Sequence, residues 1–325
     1  MYKFAYVGII GRANAGKSTL LNTLIGAKIA ITSSKPQTTR NNIFGIYTTE
    51  NEQLVFVDTP GIHRSANHLD KHMMKNVRSA LEGVDVVLYL VDGSIPTEDE
   101  EKLYIEKLKN EDKNLIVVRT KSDKKRISDV ESDVEISIHD IESVKNLMTK
   151  ILERVEPTQE KNFLFGDDEI TDKSVRFIVA EYIREAVLKN LGDEIPHGVA
   201  VDITQFKERT SLVAISADIV CERQTHKGMI IGKGGAKLKK IGAQARQDAE
   251  KLLDKKVFLE LFVKVEEDWR NKPNKFSGFG YWHKIKQISY SDSEVFFQKR
   301  EKWTQQSWLS LEFVLFFLWL VWEHR

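Results

Sequence analysis

Within the ten residues from Gly11 to Leu20, GRANAGKSTL, two glycines, a lysine and a serine fall at the spacing G-x-x-x-x-G-K-[ST]. In such a loop successive backbone N–H groups converge on a phosphate, the lysine supplies counter-charge, and the hydroxyl meets a divalent cation. Average residue frequencies produce this pattern by chance in roughly one sequence of this length in a hundred. Its surroundings lower those odds. Ala5–Ile10 (AYVGII) is an apolar run suited to a buried strand, and Ser18–Ile25 (STLLNTLI) opens a helix whose N-terminal N–H groups and dipole attract an anion. Gly11, Asn14, Ala15, Gly16, Lys17, Ser18 and Thr19 are the candidate phosphate contacts.

A phosphate loop alone leaves adenine and guanine open. Asp58-Thr59-Pro60-Gly61 follows the apolar run QLVFV, which places a carboxylate at a strand end, where it holds Mg²⁺ through water, and brings the Gly61 N–H to a terminal phosphate. Thr120-Lys121-Ser122-Asp123 follows the run LIVVR and resembles the guanine-specificity motif [NT]-K-x-D. There the aspartate accepts from the ring N–H and exocyclic amine of guanine, a donor pair that adenine lacks, and the lysine stem lies along base and ribose. Alone, TKSD reads as a solvated turn; its order behind a phosphate loop and DTPG favours a base contact. The segment KPQTTRNN (35–42) offers adjacent Thr38 and Thr39, suited to a switch loop in which one hydroxyl joins Ser18 on Mg²⁺ while a γ-phosphate is present; Thr39 is favoured.

These loops need a scaffold. Apolar strand candidates at 5–10, 53–57, 84–91 and 115–119 alternate with helical patterns at 18–27, 68–82, 98–109 and 141–154. That alternation predicts a mostly parallel α/β sheet with helices on both faces and ligands at the carboxyl ends of the strands. A polar, loop-like stretch follows Pro157, and a second unit begins near 173: a helix, strands at 198–205 and 211–221, a glycine turn, a long basic helix and a strand at 257–265.

The order GRANAGKS, PQTTR, DTPGIH, TKSD resembles the Era family of bacterial GTPases, within the TrmE–Era class. The resemblance implies a P-loop NTPase fold of the Ras-like kind, GTP and GDP as ligands, Mg²⁺ on Ser18, Thr39 and Asp58, and slow intrinsic hydrolysis. It also implies a part for K⁺, because Asn14 matches an asparagine that helps bind K⁺ beside the phosphates in related proteins. Asn14, Lys17, Thr39 and Gly61 are its catalytic candidates. Ile62 stands where Ras-like enzymes carry a water-orienting glutamine, and His63 reads as a structural side chain rather than a general base. The third base-contacting loop of the family usually reads Ser-Ala; here Ser137-Ile138 takes that place. Ala13 and Ala15 depart mildly from the family's GRPNVGKS, and Thr120 replaces the commoner asparagine, which leaves a shorter side chain to brace the loop.

In the second unit, GMIIGKGGAKLKKIG (228–242) carries Gly232-Lys233-Gly234-Gly235, a G-x-x-G turn. That spacing is very weak alone. With its flanks and the order helix–strand–strand–helix–helix–strand, it resembles a type II KH module, whose glycine turn admits the backbone of single-stranded RNA. From His226 to Lys256 nine Lys and Arg face three Asp and Glu, a local +6 in a chain whose overall charge is +1. The candidate RNA contacts are Gly232, Lys233, Gly234, Gly235, Lys237, Lys239 and Lys240. TDKSVRFIVAEYIREAVLKNLGDEIPH (171–197) is similar to the Era lead-in to that module, and Phe279-Gly280-Tyr281 to the family's end.

The domain map is therefore a GTPase domain over 1–160, a linker over 161–172, an α+β type II KH domain over 173–281, and an aromatic-rich tail over 282–325. The tail holds five of the six tryptophans and no glycine, and its apolar run Phe313–Trp322 is too short to span a bilayer. Near-neutral composition excludes a uniformly basic nucleic-acid binder. Cys221, the single cysteine, excludes an intramolecular disulfide and fits a reducing compartment. MYKFAYVGII enters the first strand without the pattern of a signal peptide.

The resemblance implies a cytoplasmic, monomeric GTPase that holds the 3′ end of small-subunit ribosomal RNA and assists 30S ribosomal subunit assembly. The alternative is a membrane-surface signalling GTPase, peripheral at the inner face of the cell membrane, with the tail as anchor and the basic face on anionic lipid. An RNA chaperone that binds no nucleotide is disfavoured by intact Lys17, Ser18 and Asp58.

Overall fold

The computed structural model describes residues 1–35, 37–61, 67–111, 114–191 and 198–281. Ile62, His63 and the tail from Trp282 lie outside the described residues.

Six strands form the first sheet: Lys3–Gly11 (β1), Ile43–Thr48 (β2), Glu52–Asp58 (β3), Val86–Asp92 (β4), Leu115–Thr120 (β5) and Val134–Glu135 (β6), in the order β2-β3-β1-β4-β5-β6. All but β2 run parallel. The central strands are covered on both faces, which is why they read as continuous apolar runs; every residue of β4, VVLYLVD, is buried. The helices Lys17–Ile25 (α1), His68–Glu82 (α2), Asp99–Asn110 (α3) and Ile141–Glu153 (α4) complete the layers. Ile9 lies opposite Asp58, Gly11 opposite Leu90, and Asp92 opposite Thr120. That register brings the phosphate loop, Asp58 and Thr120 out on one edge of the sheet.

The connection expected as a loop is stitched along the sheet instead. Thr158 pairs with Tyr2, and Thr171 with Gly45. The buried Gln53 side chain accepts from Leu164 N (2.8 Å) and Phe165 N (3.1 Å) and donates to Phe165 O. Ile46 N donates to Ile170 O at 2.9 Å, and Phe44 N to Asp172 Oδ1 at 3.0 Å. The edge groups of β2 thus find partners in the linker, which closes an edge otherwise open to pairing.

The second module runs Val175–Asn190 (α5), Ala200–Glu208 (β7), Leu212–Cys221 (β8), Gln224–Ile231 (α6), Ala236–Leu253 (α7), Lys256–Val265 (β9) and Pro273–Gly278 (α8). Its sheet has the order β7-β8-β9, antiparallel then parallel. Alternate residues of β8, Val213, Ile215, Ala217 and Ile219, meet Val179, Ile183 and Val187 of α5 and Ile241, Ala245 and Ala249 of α7 in one core. Cys221, at the end of the alternating run LVAISADIVC, is fully buried there.

The two modules share a seam. Ile31 clusters with Ile178, Tyr182 and Leu188 of α5. Lys28 Nζ reaches Glu185 Oε2 at 2.5 Å and Asp248 Oδ2 at 2.6 Å, which ties the segment after α1 to α5 and α7 together. Among the described residues no helix is long and apolar enough to cross a membrane.

Candidate nucleotide site and nucleic-acid interface

The phosphate loop turns through left-handed backbone at Asn14 (φ 64°) and Gly16 (φ 93°), then enters α1 with no side-chain cap on its N-terminal N–H groups. Uncapped donors of this kind are what an anion site of the sort expected from the sequence requires. Lys17 is buried, and its Nζ donates to the carbonyls of Gly11 (3.0 Å) and Arg12 (2.7 Å), so the ammonium spans the loop it follows. Burial pushes its pKa down to about 8 against the opposing pull of Asp58 and Glu101. The Arg12 guanidinium pairs with Glu98 at 2.5 Å and Glu101 at 3.7 Å.

Three oxygens meet beside α1. Ser18 Oγ lies 2.8 Å from Thr39 Oγ1 and donates to Asp58 Oδ2 at 2.6 Å; Thr39 Oγ1 is 3.4 Å from the same oxygen. Thr38 turns elsewhere, its hydroxyl donating to Lys35 O at 2.6 Å. Burial pushes Asp58 up to about 6, with Lys17, Ser18 and Thr39 opposing. Its other oxygen, Oδ1, is buried without a hydrogen-bond partner among the described residues. One carboxylate and two hydroxyls are the hard donors Mg²⁺ takes, with phosphate oxygens and water for the other positions. An orphaned buried carboxylate oxygen beside two hydroxyls therefore fits that ion. Among the described residues no group of three His, Cys, Asp or Glu could hold a metal.

Across the loop, Thr120 Oγ1 donates to Ala15 O at 2.9 Å, with Val91 O 3.2 Å away. The shorter side chain in place of asparagine thus still braces the phosphate loop. Lys121 has φ 60° and ion-pairs with Asp92, whose Oδ1 also accepts from Ser94 N at 2.9 Å. Asp123 is exposed, and Ser137 Oγ donates to its Oδ1 at 2.7 Å, which holds the carboxylate below its ordinary pKa. Ile138 follows on the rim, 42% exposed. Thr19 lies on the first turn of α1, and Gly61 packs so close to the phosphate loop that a Cβ there would stand 3.0 Å from Ala13 Cα.

In the second module the G-x-x-G turn links α6 to α7. Gly232, Gly234 and Gly235 all have positive φ (72°, 58° and 76°), and nothing lies within 4 Å of a Cβ built on Gly234 or Gly235. Side chains are absent just where the open N-terminus of α7 begins, so a sugar–phosphate chain can approach the backbone. Lys233, Lys239 and Lys240 are exposed, while Lys237 is half-buried.

Residues 6–121 match the family described as 50S ribosome-binding GTPase, and residues 194–270 match the KH domain. GTPase Era of Alkaliphilus metalliredigens is 46% identical over 292 residues, 86% of this chain and 99% of that protein. The chain belongs to the Era GTPase family. GTPase Era of Clostridioides difficile is 45% identical over 295 residues, again 86% of this chain and 99% of the relative. A solved Era in complex with MgGDPNP and nucleotides 1506–1542 of 16S ribosomal RNA superposes with a TM-score of 0.80 at 34% identity, covering 87% of this chain and all of that one. A variant of Aquifex aeolicus Era bound to GDP and aluminium fluoride gives 0.77 at 33%, covering 86% of this chain and all of that one. The Era assignment makes the chain a P-loop GTPase followed by a KH domain.

Sequence reading overlooked the charged groups that join the segment around Thr39 to the second module. Arg40 is buried and donates to Val199 O at 2.7 Å, and Arg184 donates to Thr38 O from α5. One signal was available. The helix VRFIVAEYIREAVLKN sets apolar residues on every side, which points to burial on more than one face. Charges within it such as Glu181, Arg184 and Glu185 then need partners.

Proposed function

We propose that this chain is a GTP-operated, cytoplasmic and monomeric RNA-binding protein that holds the 3′ end of small-subunit ribosomal RNA during 30S subunit assembly. The observation that supports it most is the pairing of two intact sites in one chain. Ser18, Thr39 and Asp58 converge at a phosphate loop, and an open G-x-x-G turn opens a helix in the +6 segment. The solved Era holding nucleotides 1506–1542 of 16S ribosomal RNA supplies the ligand class.

Each residue has a part. The loop N–H groups and Lys17 bind the β- and γ-phosphates, and Asp123, oriented by Ser137, accepts from guanine. Ser18, Thr39 and Asp58 hold Mg²⁺, which when bound neutralises charge on the phosphates. Gly61 N–H is placed for the terminal phosphate. Asn14 donates to Ser34 O at 2.8 Å, and its carbonyl oxygen is the atom that would meet K⁺. Hydrolysis removes the γ-phosphate whose Mg²⁺ Thr39 would help hold, so the triphosphate and diphosphate states differ in what they ask of this hydroxyl.

The test is RNA binding by the full chain to a 3′-terminal small-subunit rRNA oligonucleotide, measured with Mg·GDPNP and with GDP. Binding that strengthens with the triphosphate analogue and weakens with salt supports the reading. Equal affinity for a scrambled RNA, or flotation with anionic liposomes in its place, overturns it.

A further inference from the structure

The peptide segment carrying Thr39 is held at both ends by the second module. On one side, the guanidinium of Arg184 in α5 donates from Nη2 to Thr38 O. Arg184 is fully buried and fixed in turn by Glu181, with Nε donating to Oε1 at 2.8 Å and Nη2 to Oε2 at 2.5 Å. On the other side, Arg40 sends Nη1 to Val199 O at 2.7 Å and lies over the rings of Tyr281 (5.1 Å) and Trp269 (5.7 Å). Asn41 adds a donation to Gly280 O at 2.8 Å.

We infer that Arg184 and Arg40 are positioning residues for the GTPase site: they clamp the backbone on either side of Thr39 so that its hydroxyl stands ready beside Ser18 and Asp58. The geometry gives the reason. Thr38 O belongs to the peptide plane leading into Thr39, so anchoring it restrains Thr39 φ, while anchoring Arg40 restrains the chain leaving Thr39. A free loop of this length would lose backbone entropy on binding the ligand. Here packing against the second module meets that loss beforehand, which raises affinity for the ligand that uses Thr39. That ligand is the triphosphate with Mg²⁺. GDP, without a γ-phosphate, draws little on Thr39. The RNA-binding module therefore contributes to discrimination between GTP and GDP through two arginines that touch neither nucleotide nor metal.

The inference rests on Thr39 as an Mg²⁺ ligand, and the experiment separates the two. Affinities of the full chain for fluorescent GDP and for fluorescent GDPNP with Mg²⁺ are measured by titration. Replacing Arg184 alone would strand the buried Glu181, so the pair is exchanged together as Glu181→Leu with Arg184→Leu. Arg40→Met is the independent second variant. Each is expected to weaken Mg·GDPNP binding about tenfold or more, the scale of a lost charge-assisted hydrogen bond, with GDP affinity within about twofold of parental. Near-parental GDP binding also shows that the first module is folded. Amides 39–42 of the nucleotide-free variants should exchange hydrogen faster than in the parent. Thr39→Val is the reference. If it leaves the GDPNP-to-GDP ratio unchanged, the metal reading fails and the clamp with it. If it shifts the ratio while the arginine variants do not, the clamp alone fails. Parallel loss of both affinities in both arginine variants would mean a structural role only, and overturns the inference.

Discussion

The hydroxyls of Ser18 and Thr39 stand 2.8 Å apart, although 21 residues separate them, and both lie on the Oδ2 side of the buried Asp58 carboxylate. Thr38, one residue earlier, spends its hydroxyl on Lys35 O. Thr39→Val should therefore lower GTP turnover by about 10²-fold, the scale of removing one preorganised group from a charge-stabilising site. Thr38→Val should change it only a few-fold, through a local loop bond of about 1 kcal/mol. Single-turnover hydrolysis of both variants checks this; the reverse order would move the metal site by one residue.

Guanine selectivity should reside in Asp123, which Ser137 Oγ orients from 2.7 Å. Asp123→Asn replaces an acceptor by an amide and should cost GTP affinity about 10²- to 10⁴-fold, as two hydrogen bonds to a charged group are lost. Xanthosine triphosphate, with a carbonyl in place of the amine, should bind the variant better than the parent. Ser137→Ala should have a milder, few-fold effect. Competition titrations with GTP, ATP and xanthosine triphosphate read the outcome, and unchanged GTP binding by Asp123→Asn removes it from the base site.

RNA binding should separate from hydrolysis at Gly234. Its φ of 58° is one that aspartate tolerates better than most residues, and no atom lies within 4 Å of the added Cβ. Gly234→Asp should leave the fold and intrinsic GTPase rate near parental. It should weaken RNA binding about tenfold or more by placing an anion where phosphate approaches. Gel-shift and hydrolysis assays on one preparation decide it; undiminished RNA affinity places the groove elsewhere.

Residues 1–281 form one unit, and the Alkaliphilus relative is covered to 99% of its length by 86% of this chain. A chain ending at Tyr281 should accordingly be soluble, hydrolyse GTP and bind RNA within about twofold of the parent. Thermal unfolding and both assays test it. Loss of folding on truncation would make residues 282–325 part of the core.

Much of this was legible in local sequence because the chemistry is local. A lysine and a serine behind glycines at fixed spacing, between an apolar run and the start of a helix, mark a phosphate loop within about twenty adjacent residues. The runs AYVGII, QLVFV and LIVVR likewise dictate buried parallel strands, and their carboxyl ends follow from the connection rules. G-x-x-G with its flanks and the alternation in LVAISADIVC determined the second module in the same way. Strand β2 was missed because Gly45 interrupts IFGIYT and a polar loop precedes it, which weakens the period-two signal of an edge strand. The loop-like connection acquires its order from Tyr2, β2 and Gln53, partners that meet it once the chain is folded.

Other features required the folded chain. Sequence favoured Thr39 over Thr38, but only the packed loop decides which hydroxyl meets Ser18. Arg184 reaches Thr38 O across 146 residues, and Arg40 reaches Val199 O across 159. No local pattern encodes such pairs, since each exists only where two modules distant in sequence bury their charges against one another. Sequence determined what each site can bind; the tertiary structure decided how the sites are held, because hydrogen-bond partners of buried charges are set by packing and not by spacing.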